Sequence, residues 1–388
     1  MKIKCLFLSI LLISCKSNTN TIYEFDPRVL KENKASLTEI ADDIIYIPLD
    51  NDFPISLIYS PKYFINNSIY LSALNAGVMV FDRQGRLIRK IGRIGRGPGE
   101  YARYYIFTVD NKNETVYIMD SGANFIKVYS KEGNFLRNIS LKDYGNGVDA
   151  VEFFNSKLII SYHSQFRDIK NDLIVLDTLG NFIDKKERID IPFTSNWLID
   201  GGLYEYENHL SRWSPFTDTI YSIFPDLNYG ISFVFGKGEH RLPKSNIDIN
   251  KIKIYFNPYM VFETHRFLVF RYLYNEKVTL ALVEKRSNKS YVTYLESGPA
   301  VVGNNFIGGI ANDLDGGTPF QPENYFVEGN REYMVGLINS YQIKTLVASA
   351  EFKNSTPKYP EKKKKLITLA DSLKETDNPV LMLVRLKD

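Results

Sequence analysis

Apolar residues in the body of this chain come in short runs broken by turn residues, and the runs recur. Ser68-Ile69-Tyr70-Leu71-Ser72 is followed by Gly77-Val78-Met79-Val80-Phe81. Thr115–Met119 is followed by Phe125–Tyr129, and Lys157–Ser161 by Asp172–Leu176. The runs are short and rich in β-branched and aromatic residues, so each predicts a strand. The same eight-residue phrase then closes each pair: Phe81-Asp82-Arg83-Gln84-Gly85-Arg86-Leu87-Ile88, Tyr129-Ser130-Lys131-Glu132-Gly133-Asn134-Phe135-Leu136 and Leu176-Asp177-Thr178-Leu179-Gly180-Asn181-Phe182-Ile183. The phrases align without gaps, and their glycines fall 48 and 47 residues apart. Each predicts a tight hairpin with glycine at the position that needs positive φ. Asn288 suits the same role within Glu284–Lys289.

With the strand after the turn and a weaker one at the start, each unit holds about four strands. Four antiparallel strands at a period in the forties to fifties mark a β-propeller blade. A sandwich of consecutive hairpins is the alternative, but it does not call for a regular period. Residues 40 to 350 accommodate six such units. The predicted fold is therefore all-β: a six-bladed β-propeller of four-stranded antiparallel blades. Later strands fall at Thr219–Ile223, Ile231–Phe235, His265–Phe270, Val278–Val283 and Tyr333–Ile338. The early run Ile44–Leu49 is expected to add a strand to the last blade. Leu366, Leu369, Ala370 and Leu373 follow an i, i+3, i+4, i+7 pattern, which predicts a short C-terminal amphipathic helix. Lys362–Lys365 before it reads as a solvated extension of that helix, with anionic lipid headgroups as the other reading. Pro379 ends the helical region before a last strand, Val380–Leu386.

The 388 residues include 48 Lys+Arg and 45 Asp+Glu, a net charge of +3. That near-balance argues against a dedicated nucleic-acid binder. Hydrophobic content of 44% and charged content of 24% suit a globular protein. Met1–Lys4 starts positive, and Cys5–Ile13 is an apolar run of nine residues. A membrane span needs about 20, so the run has the layout of a signal peptide instead. Leu12-Ile13-Ser14-Cys15 resembles the lipobox of bacterial lipoproteins. The resemblance implies cleavage before Cys15 and acylation of its sulfur and its new amine. An ordinary cleaved signal with a free Cys15 is the alternative. Both cysteines lie in this segment, so the body has no disulfide, thiolate metal site or cysteine nucleophile. The expected organisation is a signal peptide over 1–14, a lipidated tether over 15–33, and the propeller over 34–388.

Gly92-Arg93-Ile94-Gly95-Arg96-Gly97-Pro98-Gly99-Glu100-Tyr101 resembles the G-x-x-G-x-G-P-G-E-(Y/F) segment of the six-bladed β-propeller lipoproteins of Bacteroides-type bacteria, which are similar to NHL-repeat propellers. Asn312–Gly317 with Pro319-Phe320, and the tail from Ser372 to Met382, resemble later segments of that family. The resemblance spans the mature chain. It implies a six-bladed ring, export and a lipid anchor, and no agreed activity. Lipoproteins sent to the cell surface in that phylum tend to carry acidic residues after the cysteine, whereas here Lys16-Ser17-Asn18-Thr19-Asn20 follows. The expected place is thus the outer membrane, facing the periplasm.

Candidate ligand contacts follow from residue type. Gly95–Glu100 lacks the Gly-Lys-Ser/Thr of a phosphate loop. It reads as a crossover in which Glu100 bonds backbone amides, or as a channel-mouth loop contacting a ligand through Arg93, Arg96 and Glu100. Asp313 and Asp315 beside Gly316-Gly317 suit a turn, a ligand contact or a calcium ion, although the full calcium-loop pattern is absent. Trp197 and Trp213 frame Tyr204–Arg212, where His209 and Arg212 accompany aromatic rings and carboxylates; this suits sugar binding or packing between blades. No metalloprotease histidine pair and no nucleophile elbow occurs. The reading is a monomeric binding or scaffold module for a peptide, glycan or protein partner, held to a membrane by lipid and needing no cofactor. The rival is a propeller hydrolase or lyase acting on a glycan or lactone, with calcium as its possible ion. Glu100, His209, Asp313 and Asp315 are its candidate side chains.

Overall fold

In the computed structural model, which describes residues 23–102, 106–166, 168–188, 193–196, 198–235, 240–297 and 306–387, the aligned phrases form hairpin turns. Asp82 Oδ1 accepts the N–H groups of Gln84 and Arg86 at 2.9 Å, and Asp177 Oδ1 those of Leu179 and Asn181 at 2.8 Å. Gly85, Gly133 and Gly180 take φ of +83°, +89° and +95°, and Asn288 +57°. The glycines also serve a second purpose. A Cβ on Gly85 would lie 2.0 Å from Pro48 O, and one on Gly133 2.6 Å from Lys90 O. One on Gly180 would lie 2.7 Å from a methyl of Ile139. Pro48, Lys90 and Ile139 belong to outer strands of neighbouring sheets. The repeated glycine therefore sets how closely one sheet approaches the next.

The described strands form six sheets. The first holds Ile58–Ile65, Ser68–Ala73, Gly77–Asp82 and Leu87–Ile91. The second holds Phe107–Val109, Val116–Asp120, Phe125–Tyr129 and Phe135–Ser140. The third holds Val148–Phe154, Lys157–Tyr162, Asn171–Asp177 and Phe182–Glu187. The fourth holds Gly202–Tyr206, His209–Trp213, Thr219–Ile223 and Tyr229–Phe235. The fifth holds Asn257–Glu263, Phe267–Tyr274, Lys277–Glu284 and Ser290–Ser297, with Phe306–Ile307 added. The sixth holds Asn324–Glu328, Arg331–Ile338 and Val380–Leu386, and its fourth strand is Ala41–Pro48. Ile44 sits opposite Val384 and Ile47 opposite Leu381, so the early run joins the last sheet as expected. First strands lie beside first strands: the second sheet's against the third's, then third to fourth, fourth to fifth, fifth to sixth, and sixth to first.

Two expectations change. The segment 1–22, including Cys15, lies outside the described residues. The stretch expected to be a tether as far as residue 33, however, is built into the fold from Tyr23 onward. Tyr23–Phe25 pairs in parallel with the outer strand of the fourth sheet, Phe25 opposite Phe235. Phe25 is 1% exposed, with its ring 4.4 Å from that of Phe270. Asn33 then exchanges backbone hydrogen bonds with Val292 of the fifth sheet before the chain enters the sixth. Polar composition hid this role, because one buried aromatic among polar neighbours leaves no periodic signal.

The helical region is also larger than expected. Ser340–Ala348, Ala350–Asn354 and Pro360–Ser372 all lie between the second and third strands of the sixth sheet. The last helix starts at Pro360, as proline at a first turn allows, and it takes in the lysine run. Lys362 binds the Asp43 carboxylate and, at 3.0 Å, Ile44 O. Lys363 donates to the carbonyls of Phe352 and Ser355, the exposed acceptors at a helix C-terminus. These two lysines are held by the fold.

Phe25→Ala is expected to destabilise the protein by about 3–5 kcal/mol, the usual cost of truncating a buried phenylalanine. Chemical denaturation measures it. A loss below about 1 kcal/mol, typical of a surface position, would return this segment to a tether.

Candidate functional site

The first strands carry polar side chains toward one another. Tyr63 of the first sheet donates its hydroxyl to Glu152 Oε2 of the third at 2.5 Å. Thr108 of the second sheet donates to the same oxygen at 3.2 Å and accepts the Phe153 N–H at 2.8 Å. Glu152 is 7% exposed, so these donors replace much of its water. Burial, then the Glu152 charge, pushes the Tyr63 phenol well above its ordinary range.

Glu205 of the fourth sheet stands differently. Its side chain is open to solvent, yet protein surrounds it closely enough to displace bulk water. Together these describe a group in a narrow wet space. Burial first, and the neighbouring Glu152 charge second, push its carboxyl up to about 7. Its carboxylate meets no hydrogen-bond donor among the described residues. Tyr325 of the sixth sheet donates to the Glu205 backbone carbonyl at 2.6 Å, and its ring stacks on Phe262 of the fifth. Tyr204 donates to Glu263 Oε1 at 2.8 Å, and Lys285 Nζ lies 2.7 Å from Glu263 Oε2. All six sheets thus contribute to a cluster of tyrosines and carboxylates.

Buried arginines brace this cluster. Arg212 is 3% exposed and binds Asp149 at 3.0 Å, with the carbonyls of Tyr162 and Trp213. Arg271 binds Glu323 at 3.1 Å and Pro322 O at 2.8 Å. Each joins adjacent sheets, so each fixes where the first strands meet.

The candidates drawn from the sequence do not converge. Arg93 and Arg96 are exposed on the crossover after the first sheet. Glu100 turns back to accept the Gly97 N–H at 2.8 Å, and a Cβ on Gly95 would lie 2.1 Å from its Oε2. The adjacent Tyr101 donates to Ile91 O at 2.6 Å and accepts from Val78 N–H at 3.2 Å. This is the crossover arrangement, with glycines that make room for the carboxylate. His209 is half-buried between Tyr206 and Phe224, and burial pulls its imidazole below its ordinary range. Arg212 is the brace already described. Asp313 accepts from the Thr38 N–H at 2.8 Å and from the Thr38 hydroxyl. Burial alone would raise its carboxyl, but the Thr38 hydrogen bonds outweigh it and hold it low. Asp315 is fully buried, accepting from Asn312 at 2.7 Å and Gly317 N–H at 2.8 Å; burial raises it. Asp315 serves its local turn, whereas Asp313 ties that turn to the distant Thr38 segment. Trp197 lies outside the described residues, and Trp213 is buried in the core. Among the described residues, no group of three or more His, Cys, Asp or Glu is arranged to hold a metal ion.

Tyr63, Thr108, Glu152 and Tyr325 escaped sequence reading because they sit in the first, weakest strand of each unit. Glu205 lies inside the aromatic stretch that the sequence does mark. The remaining signal was a single acidic residue within an apolar strand, as in Val151-Glu152-Phe153.

A profile of the domain of unknown function DUF4934 matches residues 21–385. The chain belongs to the DUF4934 family. Among solved structures, this DUF4934 protein resembles a candidate exported protein of Bacteroides fragilis at 18% identity and a TM-score of 0.68. That match covers 95% of this chain and 100% of the other. It also resembles a member of the DUF4221 family from Bacteroides vulgatus at 12% identity and a TM-score of 0.50, covering 92% and 99% of the two chains. At these identities the likeness is one of fold. Comparison with curated proteins returns no match. No helix among the described residues is long and apolar enough to cross a membrane.

The Glu205 carboxyl titrates near 7 in the folded protein and near about 4.3 when unfolded. The native state therefore binds the proton more tightly. That stabilisation is full below about pH 4 and is lost as pH rises through about 7. Glu205→Gln is expected to stabilise the protein at pH 8 relative to wild type, on the order of 1 kcal/mol after screening by water, and to have little effect at pH 4. Thermal denaturation at both pH values measures it.

Proposed function

We propose that this DUF4934 protein is an exported, lipid-anchored, six-bladed β-propeller that acts as a binding module. Its ligand site is the axial cluster around Glu152 and Glu205. The six blades are supported by the circuit of first-strand contacts, with Tyr63 reaching Thr108 to link the first and second sheets. The sheet shared by the two ends of the chain supports the closed ring. Export and the anchor rest on the N-terminal sequence, with Cys15 as the acylated residue and the periplasmic face of the outer membrane as its place.

One observation carries the binding reading. Glu205 offers water an unpaired carboxylate beside a second carboxylate, in a space walled by tyrosines. Two acids in a partly desolvated site favour a positively charged or strongly hydrogen-bond-donating group. Aromatic walls suit the apolar faces of a sugar or peptide. An amine-bearing peptide or glycan fits both features. The hydrolase or lyase reading finds no assembled set in Glu100, His209, Asp313 and Asp315. It retains Glu205, because a carboxyl titrating near neutrality suits an acid catalyst.

Calorimetry of the full chain against cationic peptides, amino-sugar oligomers, neutral glycans and calcium tests the site. Binding should favour the amine-bearing ligands, and Glu152→Gln or Glu205→Gln should weaken it about tenfold, or ~1.4 kcal/mol. Binding unchanged in both variants would move the site elsewhere. Product appearing with wild type but not with Glu205→Gln would establish the enzyme reading. For the anchor, the expected result is an acylated Cys15 at the start of the mature chain by mass spectrometry, and release from membranes by Cys15→Ser. An unmodified start would remove it.

A further inference from the structure

The geometry points to a second binding site, an oxyanion pocket between the hairpin ends of the fifth and sixth sheets. The cavity there has a volume of about 640 Å³, within the usual range for small ligands. Its lining residues differ from those of the axial cluster, and it does not depend on that reading.

Its two carboxylates are already engaged. Glu284 accepts from Arg266 Nε at 2.6 Å and from the Ser287 hydroxyl. Glu332 accepts the His265 backbone N–H through both oxygens, at 2.8 and 3.0 Å. Its cations are not matched in this way. Arg286 meets no carboxylate among the described residues; its one polar contact is with His265 Nε2 at 3.3 Å. Lys387 Nζ bonds only the Thr38 carbonyl. Arg266 spends Nε on Glu284 and leaves its two terminal nitrogens without partners among the described residues. Three cations thus line a concave space with two carboxylates, and both carboxylates are occupied.

The Arg286–His265 contact indicates what the pocket lacks. A guanidinium presents a planar fork of donors matched to two oxygens. Here it donates to a single imidazole nitrogen at long range, a weak use of a charge-assisted donor. A phosphate in this cavity would offer oxygens to Arg286 and Lys387, which both line it. The Asn330 side chain, on the turn that lines the same cavity, adds amide donors. The ligand class is therefore a phosphate group, borne either by a soluble phosphate compound or by an anionic lipid headgroup.

Two measurements separate these sources. Calorimetry of the Cys15→Ser full chain, which carries no acyl group on that residue, is run with inorganic phosphate at low ionic strength. Co-sedimentation of the same protein uses phosphatidylglycerol vesicles, with phosphatidylcholine vesicles as control. Arg286 is exposed on a turn, so Arg286→Ala should keep the wild-type melting temperature. It should weaken phosphate binding about tenfold or more, and Arg286→Lys should restore part of it. Phosphate binding lost in Arg286→Ala supports a site for soluble phosphate compounds. Binding to phosphatidylglycerol vesicles alone, also lost in Arg286→Ala, supports a headgroup site. No binding to either probe, or binding that Arg286→Ala leaves unchanged, overturns the proposal.

Discussion

The antiparallel pairing of Ala41–Pro48 with Val380–Leu386 places an early strand and the last strand in one sheet. Much of the remaining geometry depends on it. The pairing brings Pro48 against Gly85, so the sixth sheet meets the first at backbone contact. Across that junction Phe64 stacks on Phe326 at 4.1 Å, and Arg83 sits 5.1 Å from both rings while binding Glu328. If the pairing failed, Tyr325 and Tyr63 would lose their common frame, and the polar cluster would have no fixed shape. Contacts between such distant parts of a chain carry a loop-closure cost, but that cost grows only slowly with length. A run of paired strand residues with buried Val380, Leu381, Met382 and Val384 offsets it.

What could be read from the sequence was what local geometry repeats. Gly85, Gly133 and Gly180 were visible because each must adopt positive φ and each must also admit a neighbouring strand. Two independent demands on one position leave a clear signal. Asn288 was visible for the first reason alone. The last strand was visible because apolar runs announce a strand, whereas the helix ends at Ser372, before it reaches Pro379. The lysine run was misleading. Its charge suggested solvent or lipid, whereas Lys362 is placed by a carboxylate distant in sequence and Lys363 by the end of the preceding helix.

The site was less legible for a related reason. Sheets approach one another through first strands whose length and sequence differ from unit to unit. Tyr63, Thr108 and Glu152 fall 45 and 44 residues apart but differ in residue type, so no repeated phrase marks them. Each of the cluster residues acquires meaning only when another sheet supplies its partner. The residues that sequence did nominate were acidic groups beside glycines. Such residues are abundant in turns because an aspartate or glutamate can accept nearby backbone N–H groups while glycine turns the chain. Glu100 and Asp315 do this, while Asp313 accepts from the distant Thr38. Residue type therefore could not separate a turn acid from a site acid.

Satisfaction of hydrogen bonds does separate them. Asp82, Asp110 and Asp177 each accept from neighbours within four residues, and their charges are accounted for locally. Glu152 is satisfied by two other sheets, which fixes it in space. Glu205 has neither kind of partner and stands beside Glu152, so the fold bears a cost there that it avoids at the turns. A charge in a partly desolvated space without a protein donor carries a cost, and most proteins remove it by pairing or by neutralisation. Here neutralisation is partial, since the carboxyl titrates near neutral pH and not far above it. The group is therefore available to an incoming donor under physiological conditions, and a ligand that supplies one would recover free energy the fold has left unrecovered. That balance distinguishes the cluster around Glu152 and Glu205 from the scaffold around it.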